Sequence, residues 1–211
     1  RMLAERLGNG TVLDTHEPGK GLRYVTSYLE GLLPEQPFHD PASYPWCAAM
    51  PKHAAAVLRE MKSFASGDLW HGAAMAEASG HYAPEWRILG ILGGGEWYEA
   101  ADTFPGLKDV LSSLAGVHLQ EVFFARMPPR TKIKLHSDNM NYMLTMHLAL
   151  ELQESLCSLK CGDVKRQWRA GEVLGPFDTS YLHSAENNSS TDRYVLVCRF
   201  FHPSCTAVER Y

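Results

Sequence analysis

The tripeptide His136-Ser137-Asp138, with His183 47 positions after its histidine and Arg193 ten positions beyond that, is the part of this chain best equipped for chemistry. Two imidazoles and one carboxylate can occupy one face of an Fe(II) octahedron and leave three positions free for small ligands. His-x-Asp suits that use because residues i and i+2 of an extended segment project to the same side. The second histidine must then come from a strand distant in sequence. His183 does, following a strand-like run at Glu172–Phe177 and a turn over Asp178–Leu182. Arg193 would offer the same cavity a planar guanidinium fork for a carboxylate. With ten histidines in the chain, however, a His-x-Asp tripeptide arises readily by chance. From spacing alone His136 reads as well as a solvated loop histidine, and Arg193 as a surface cation.

These residues need strands to hold them. Along Tyr142–Leu152, Leu144, Met146, Leu148, Leu150 and Leu152 share one face, and Met143, Thr145, His147, Ala149 and Glu151 the other. The first face is apolar core. The second can line a polar cavity with His147 in reach of a bound anion, although a core histidine satisfied by a neighbour fits the pattern nearly as well. On the last strand, Arg193–Phe201, Arg193 shares a face with Val195, Val197 and Arg199. Further extended runs fall at Trp86–Leu92, His118–Met127, Leu156–Cys161 and Arg166–Arg169. Helical spacing of Leu22, Val25, Leu29 and Leu32 predicts a short amphipathic helix, and a second follows Pro51 over Ala54–Phe64. A third runs over Phe104–Leu114 and is closed by Gly116. Many short strands without intervening helices predict a mainly β fold, a jelly-roll sandwich or barrel with flanking N-terminal helices. The Gly93-Gly94-Gly95 run is no nucleotide loop, because Tyr98 stands where GxGxxG needs glycine.

Composition narrows the classes further. With 45% apolar and 21% charged residues the chain is globular, which excludes wholesale disorder and a disulfide-dense miniprotein. Its 211 residues suit one domain with an extension, divided near Trp86 into residues 1–85 and 86–211. A net charge of −4 gives no field for phosphate backbones, so no nucleic-acid partner is expected. No run approaches the roughly 20 apolar residues of a membrane span, and residues 1–20 have no signal-peptide core. The expected compartment is cytoplasmic, or an organelle or the endoplasmic reticulum lumen if a leader was trimmed ahead of Arg1. Five cysteines form no CxxC pair, and Cys157 and Cys161 would stand about 13 Å apart on one strand. Reduced, packed thiols are expected. Glycosylation sequons at Asn9, Asn187 and Asn188 count only in a secretory lumen.

Several separated motifs then agree in order: His136 to Asn141, Met146-His147-Leu148, Trp168 to Gly171, Phe177-Asp178-Thr179-Ser180, His183, Arg193 and Phe201-His202-Pro203. Together, from about Trp86 to Pro203, they resemble the aspartyl/asparaginyl β-hydroxylase family of 2-oxoglutarate- and Fe(II)-dependent oxygenases. The resemblance implies a double-stranded β-helix, with His136 and His183 matching iron ligands, Arg193 the anchor of the 2-oxoglutarate carboxylate and His147 a further cosubstrate contact. It implies O2-dependent hydroxylation of a C–H bond in a small-molecule or peptide substrate, such as the β-carbon of Asp or Asn or a related amino acid. Two positions depart from the pattern. The animal enzymes look like two-histidine sites with glycine at Asp138, which makes Asp138 a third ligand here. They carry arginine at Thr145, so one cosubstrate contact is lost or replaced by a hydroxyl. With Asp138 as ligand, Fe(II), dianionic 2-oxoglutarate and Arg193 form a neutral buried assembly, which lowers its desolvation cost. The alternative is a cupin-like metal or small-molecule binding protein without turnover, for which Arg193 has no evident use.

Overall fold

The computed structural model describes residues 11–14, 19–64, 67–72, 80–82, 85–114 and 116–210. Its strands are β1 (Thr11–Asp14), β2 (Leu22–Ser27), β3 (Arg87–Gly93), β4 (Glu96–Trp97), β5 (Leu119–Met127), β6 (Thr131–His136) and β7 (Asn139–Met140). They continue as β8 (Met143–Glu151), β9 (Cys157–Cys161), β10 (Val164–Gln167), β11 (Val173–Asp178), β12 (His183–Asn187) and β13 (Arg193–Phe201). The α-helices are α1 (Pro45–Ala49), α2 (Ala54–Phe64) and α3 (Pro105–Ser112).

From β5 onward the chain passes back and forth between two antiparallel sheets. One sheet has the order β11-β8-β13-β5-β3-β4 and the other β10-β9-β12-β6. Each takes four of the eight barrel strands, which is the interleaving of a double-stranded β-helix. A third, small sheet joins β1, β2 and β7, with β2 and β7 parallel.

The alternation along β8 decides which face of the larger sheet does what. Leu144, Met146, Leu148 and Leu150 are buried in one cluster with Met50, Val57 and Met61 from the helical segment and Leu107 and Leu111 of α3. Helix α2 forms because Ala54, Val57 and Met61 recur at steps of three and four along a helix-favouring sequence. In this helix, burial of Val57 and Met61 contributes about 1.5–3 kcal/mol each. Its Glu60 accepts hydrogen bonds from the N–H groups of Gly106 at 2.8 Å and Leu107 at 2.9 Å, so a carboxylate completes the first turn of α3. The opposite face of the sheet lines the barrel, where Ala125, Ala149, Val195 and Val197 meet Cys157, Leu159 and Trp168. Thr145 and His147 point into that space, as the alternation requires.

Three sequence expectations change here. Residues Leu22–Leu32 do not form a helix: Leu22–Ser27 is strand β2, and Leu22 is exposed while Val25, Leu29 and Leu32 are buried. The cause is tertiary. Arg23 is buried with Nη2 2.8 Å from the Asp178 carboxylate, and Leu22 and Tyr24 exchange backbone hydrogen bonds with Leu182 and Ser180. Those bonds are available only to an extended chain. Leu152 does not share the cluster of Leu144 to Leu150 but packs with the barrel lining, because the β8–β13 register slips between Ala149 and Glu151 and reverses the faces. Asn187 is no glycan acceptor in the folded chain. It is fully buried, its amide donating to the carbonyls of Met127, Pro128 and Thr191. Asn9 lies outside the described residues.

All five cysteines are free and buried, as their spacing predicts. Among the described residues no helix is long and apolar enough to cross a membrane.

Candidate active site

His136 is the last residue of β6 and His183 the first of β12, and the two are cross-strand partners in the β6–β12 pairing. Their ring centroids lie 4.2 Å apart. Asp138 follows two residues beyond the end of β6, held by a bond from its N–H to the Thr179 carbonyl at 2.9 Å. Between them Ser137 turns away, its hydroxyl bonded to the backbone carbonyls of Tyr24 and Ser180. Nitrogen and oxygen atoms of His136, Asp138 and His183 therefore gather within 4.8 Å of one another, a grouping that could hold a metal ion.

The tautomers favour it. Nδ1 of His136 lies 2.7 Å from the Lys134 carbonyl, and Nδ1 of His183 lies 2.9 Å from the Tyr181 carbonyl. A carbonyl only accepts, so each Nδ1 carries the hydrogen and each Nε2 presents a lone pair. Burial, then the neighbouring His183, lowers His136 to a pKa of about 4, so its imidazole is neutral at physiological pH. Burial would raise Asp138, but Arg199 foremost, then His183, His136 and the Thr179 hydroxyl, hold its carboxyl below the usual range.

From this cluster a line of rings leads into the barrel. Phe177 meets His183 at 6.4 Å and His147 edge-on at 5.1 Å, and His147 lies parallel to Trp168 at 5.8 Å. The Arg193 guanidinium sits over Trp168, 4.4 Å from its centroid. Arg193 is 2% exposed. Its Nε and Nη1 have no hydrogen-bond partner, and among the described residues no carboxylate reaches it. On β8, Thr145 Oγ1 and His147 Nδ1 are likewise buried and unpartnered. Burial lowers Arg193 to about 10, which leaves it charged at neutral pH. The interior thus holds a cation and several unpartnered polar atoms that no protein anion among the described residues meets.

A family model for aspartyl/asparaginyl β-hydroxylase matches residues 51–203, nearly three quarters of the chain. The chain belongs to this family. The mouse and human aspartyl/asparaginyl β-hydroxylases are 29% and 28% identical to it over 104 residues, 49% of this chain. That match spans 14% of each relative's length. Among solved structures, a prolyl hydroxylase from Trichoplax adhaerens, in complex with a hypoxia inducible factor peptide fragment, superposes with a TM-score of 0.50 at 14% identity. The overlap covers 72% of this chain and 79% of that one, and it shows a shared fold.

This β-hydroxylase relative carries site residues that the sequence did not single out. The Tyr82 hydroxyl donates to His136 Nε2 at 3.2 Å, and the His81 ring stacks on His136 at 5.2 Å. Neither has a motif to announce it. Arg199 reaches Asp138 with Nη2 at 3.2 Å and Glu121 with Nη1 at 2.7 Å. For Arg199 the signal existed: strand alternation places it on the same face as Arg193.

Proposed function

We propose that this chain is a 2-oxoglutarate- and Fe(II)-dependent hydroxylase. The observation that carries the reading is Arg193, a fully buried, unpaired cation lying beyond a neutral His147 from a His-Asp-His cluster. Burying an unpaired guanidinium is costly, and a bound carboxylate is the ligand that offsets the cost. The residues present fit both groups. His136, Asp138 and His183 would hold Fe(II) with a neutral-nitrogen and carboxylate donor set suited to that ion. Arg193 would take the distal carboxylate of 2-oxoglutarate, with His147 as a further contact and Thr145 one nearer the metal cluster. When bound, iron and 2-oxoglutarate supply O2 activation coupled to oxidative decarboxylation of the cosubstrate.

The chain's own residues supply placement and exclusion of water. Lys134 and Tyr181 carbonyls fix the two histidine tautomers. Trp168 and Phe177 wall the space between the metal cluster and Arg193 with apolar surface. The Tyr82 hydroxyl, now on His136 Nε2, would give up that bond to a metal. The substrate is a small molecule or peptide, and the family name points to aspartyl or asparaginyl side chains as the first to be tried. We assign residues 86–211 to the oxygenase barrel and residues 1–85 to a cover packed against it.

Succinate formation, measured anaerobically and in air with Fe(II), ascorbate and 2-oxoglutarate over a panel of Asp- and Asn-containing peptides and free amino acids, tests the reading. Oxygen-dependent succinate, with or without a product 16 Da heavier, is expected. Metal and 2-oxoglutarate bound without turnover across the panel would instead favour the binding-protein alternative.

A further inference from the structure

The two oxygens of Asp138 face different partners. Oδ1 lies 3.9 Å from His136 Nε2, on the side of the histidine pair. Oδ2 lies 3.2 Å from Nη2 of Arg199. Arg199 is itself held from behind, with Nη1 2.7 Å from Glu121 Oε2. The sheet makes this possible, because Arg199 on β13 stands opposite Glu121 on β5 and opposite Thr145 on β8. The guanidinium is largely buried, its side chain 15% exposed. A planar fork with one arm on each carboxylate restricts the rotation of both.

We propose that Arg199 is the positioning residue that makes Asp138 a one-oxygen metal ligand: it occupies Oδ2, leaves Oδ1 directed at the histidine pair, and is locked by Glu121. The proposal rests on the metal-site reading above. Without the fork, the short Asp138 side chain, standing beyond the end of β6 with only the Thr179 hydroxyl left beside its carboxylate, could turn toward water or present both oxygens to the ion. Asp138 alone would then be a present but poorly placed ligand. The chain Glu121–Arg199–Asp138 also carries a net charge of −1, so the fork restrains the ligand without adding positive charge overall.

The test is Co(II) affinity of the full chain under anaerobic conditions, read by calorimetry and by visible absorption of the bound ion. Arg199→Met should weaken Co(II) binding about 10- to 100-fold, the range typical for loss of a group that orients a ligand. It should also change the visible spectrum, since the carboxylate contact changes. The decisive comparison is the same substitution in an Asp138→Ala background. There Arg199 has no carboxylate to position and only repels the cation, so Arg199→Met should leave affinity unchanged or tighten it. An equal loss in both backgrounds would mean general structural damage, and tighter binding by Arg199→Met alone would make Arg199 a competitor for Asp138. Either result overturns the proposal. If Arg199→Met does not fold, Glu121→Gln, which unlocks the fork, carries the same comparison with an expected loss of several-fold. Failure of the unaltered chain to bind Co(II) would remove the metal site, and the proposal with it, whereas binding that Arg199→Met leaves untouched removes the proposal alone.

Discussion

At the scale of single residues, the binding role proposed for Arg193 predicts a cost in stability, and the two can be separated. Its guanidinium is buried beside Trp168 with Nε and Nη1 unpartnered. Replacing it with methionine removes a desolvated charge and keeps the volume, so the ligand-free protein should gain about 1–2 kcal/mol. A melting temperature a few degrees higher would show it. The same change should weaken 2-oxoglutarate binding at least 10- to 100-fold, through loss of a charge-assisted pair. A stabilising shift of the melting curve by 2-oxoglutarate in the unaltered chain, absent in Arg193→Met, is the expected pattern. A variant that is both less stable and still responsive would assign Arg193 a structural role. Arg193, His136, Asp138 and His183 were legible in the sequence because their types and spacing limit their uses. Tyr82 and His81 were not, because they reach His136 from a segment 54 and 55 positions away that carries no motif.

At the scale of elements, what the sequence hides is the tie between strands. Strands β6 and β12 were absent from the periodicity reading, yet they carry both histidines. Strand β6 offers only Ile133 and Leu135 as an apolar stripe between Lys132, Lys134 and His136, and Leu135 is exposed, so the core does not mark it. In β12 polar residues fill positions that tertiary contacts bury, Asn187 above all. Besides donating to the three carbonyls, Asn187 accepts through Oδ1 from Ser189 N at 3.1 Å, Ser189 Oγ at 2.6 Å and Cys157 Sγ at 3.2 Å. It pins the turn into β13 to the β5–β6 connection. Asn187→Ala should cost about 3 kcal/mol or more by urea unfolding, since several buried groups lose their partner together. Asn187→Asp should cost at least as much, because a carboxylate would face carbonyl oxygens where donors are needed. A cost below about 1 kcal/mol would mean that these bonds re-form elsewhere. The misread Leu22–Leu32 segment teaches the same lesson: three of its four apolar positions are buried as a helix would bury them, but Arg23 and its Asp178 partner select the strand.

The whole molecule should be acid-sensitive, and beside His136 and His147 one contribution comes from outside the barrel interior. His39 is 2% exposed, shares a 2.6 Å hydrogen bond with the Tyr44 hydroxyl and lies edge-on to His202. Burial, then His202 and Arg23, lowers its pKa from 6.5 to about 4. The unfolded chain therefore takes up a proton that the folded chain refuses as pH falls from about 6.5 to 4. Stability should decline over that window by on the order of 2–3 kcal/mol from this group. Asp178 works in the opposite sense: burial raises it to about 6 against the pull of Arg23, so between about 6 and 3.8 the folded chain binds its proton first. His39→Gln should flatten the acid decline measured by urea unfolding at pH 7, 6 and 5, and Asp178→Asn should steepen it. Parallel curves for His39→Gln and the unaltered chain would exclude His39 as the cause. The fold class was readable at this scale because alternating strands dominate residues 119–201. The three-stranded sheet was not, because β7 joins the local β1–β2 pair from more than a hundred residues away.

The cross-strand pairing of His136 with His183 has a mechanical side. Among the described residues β6 is the outermost strand of its sheet, paired with β12 on one side and tied on the other by the Lys134 N–H bond to the His81 carbonyl at 2.8 Å. An ion held by both histidines would act as a clasp across the β6–β12 seam, cross-linking positions 47 residues apart in the chain. Metal loading should then slow amide hydrogen exchange selectively in β6 and β12, while β9, flanked on both sides, changes little. Uniform slowing across the barrel would show instead that the ion stabilises the molecule globally. A sheet edge secured in this way only once the protein is competent to react would leave metal-free chains carrying their own mark for proteolytic removal.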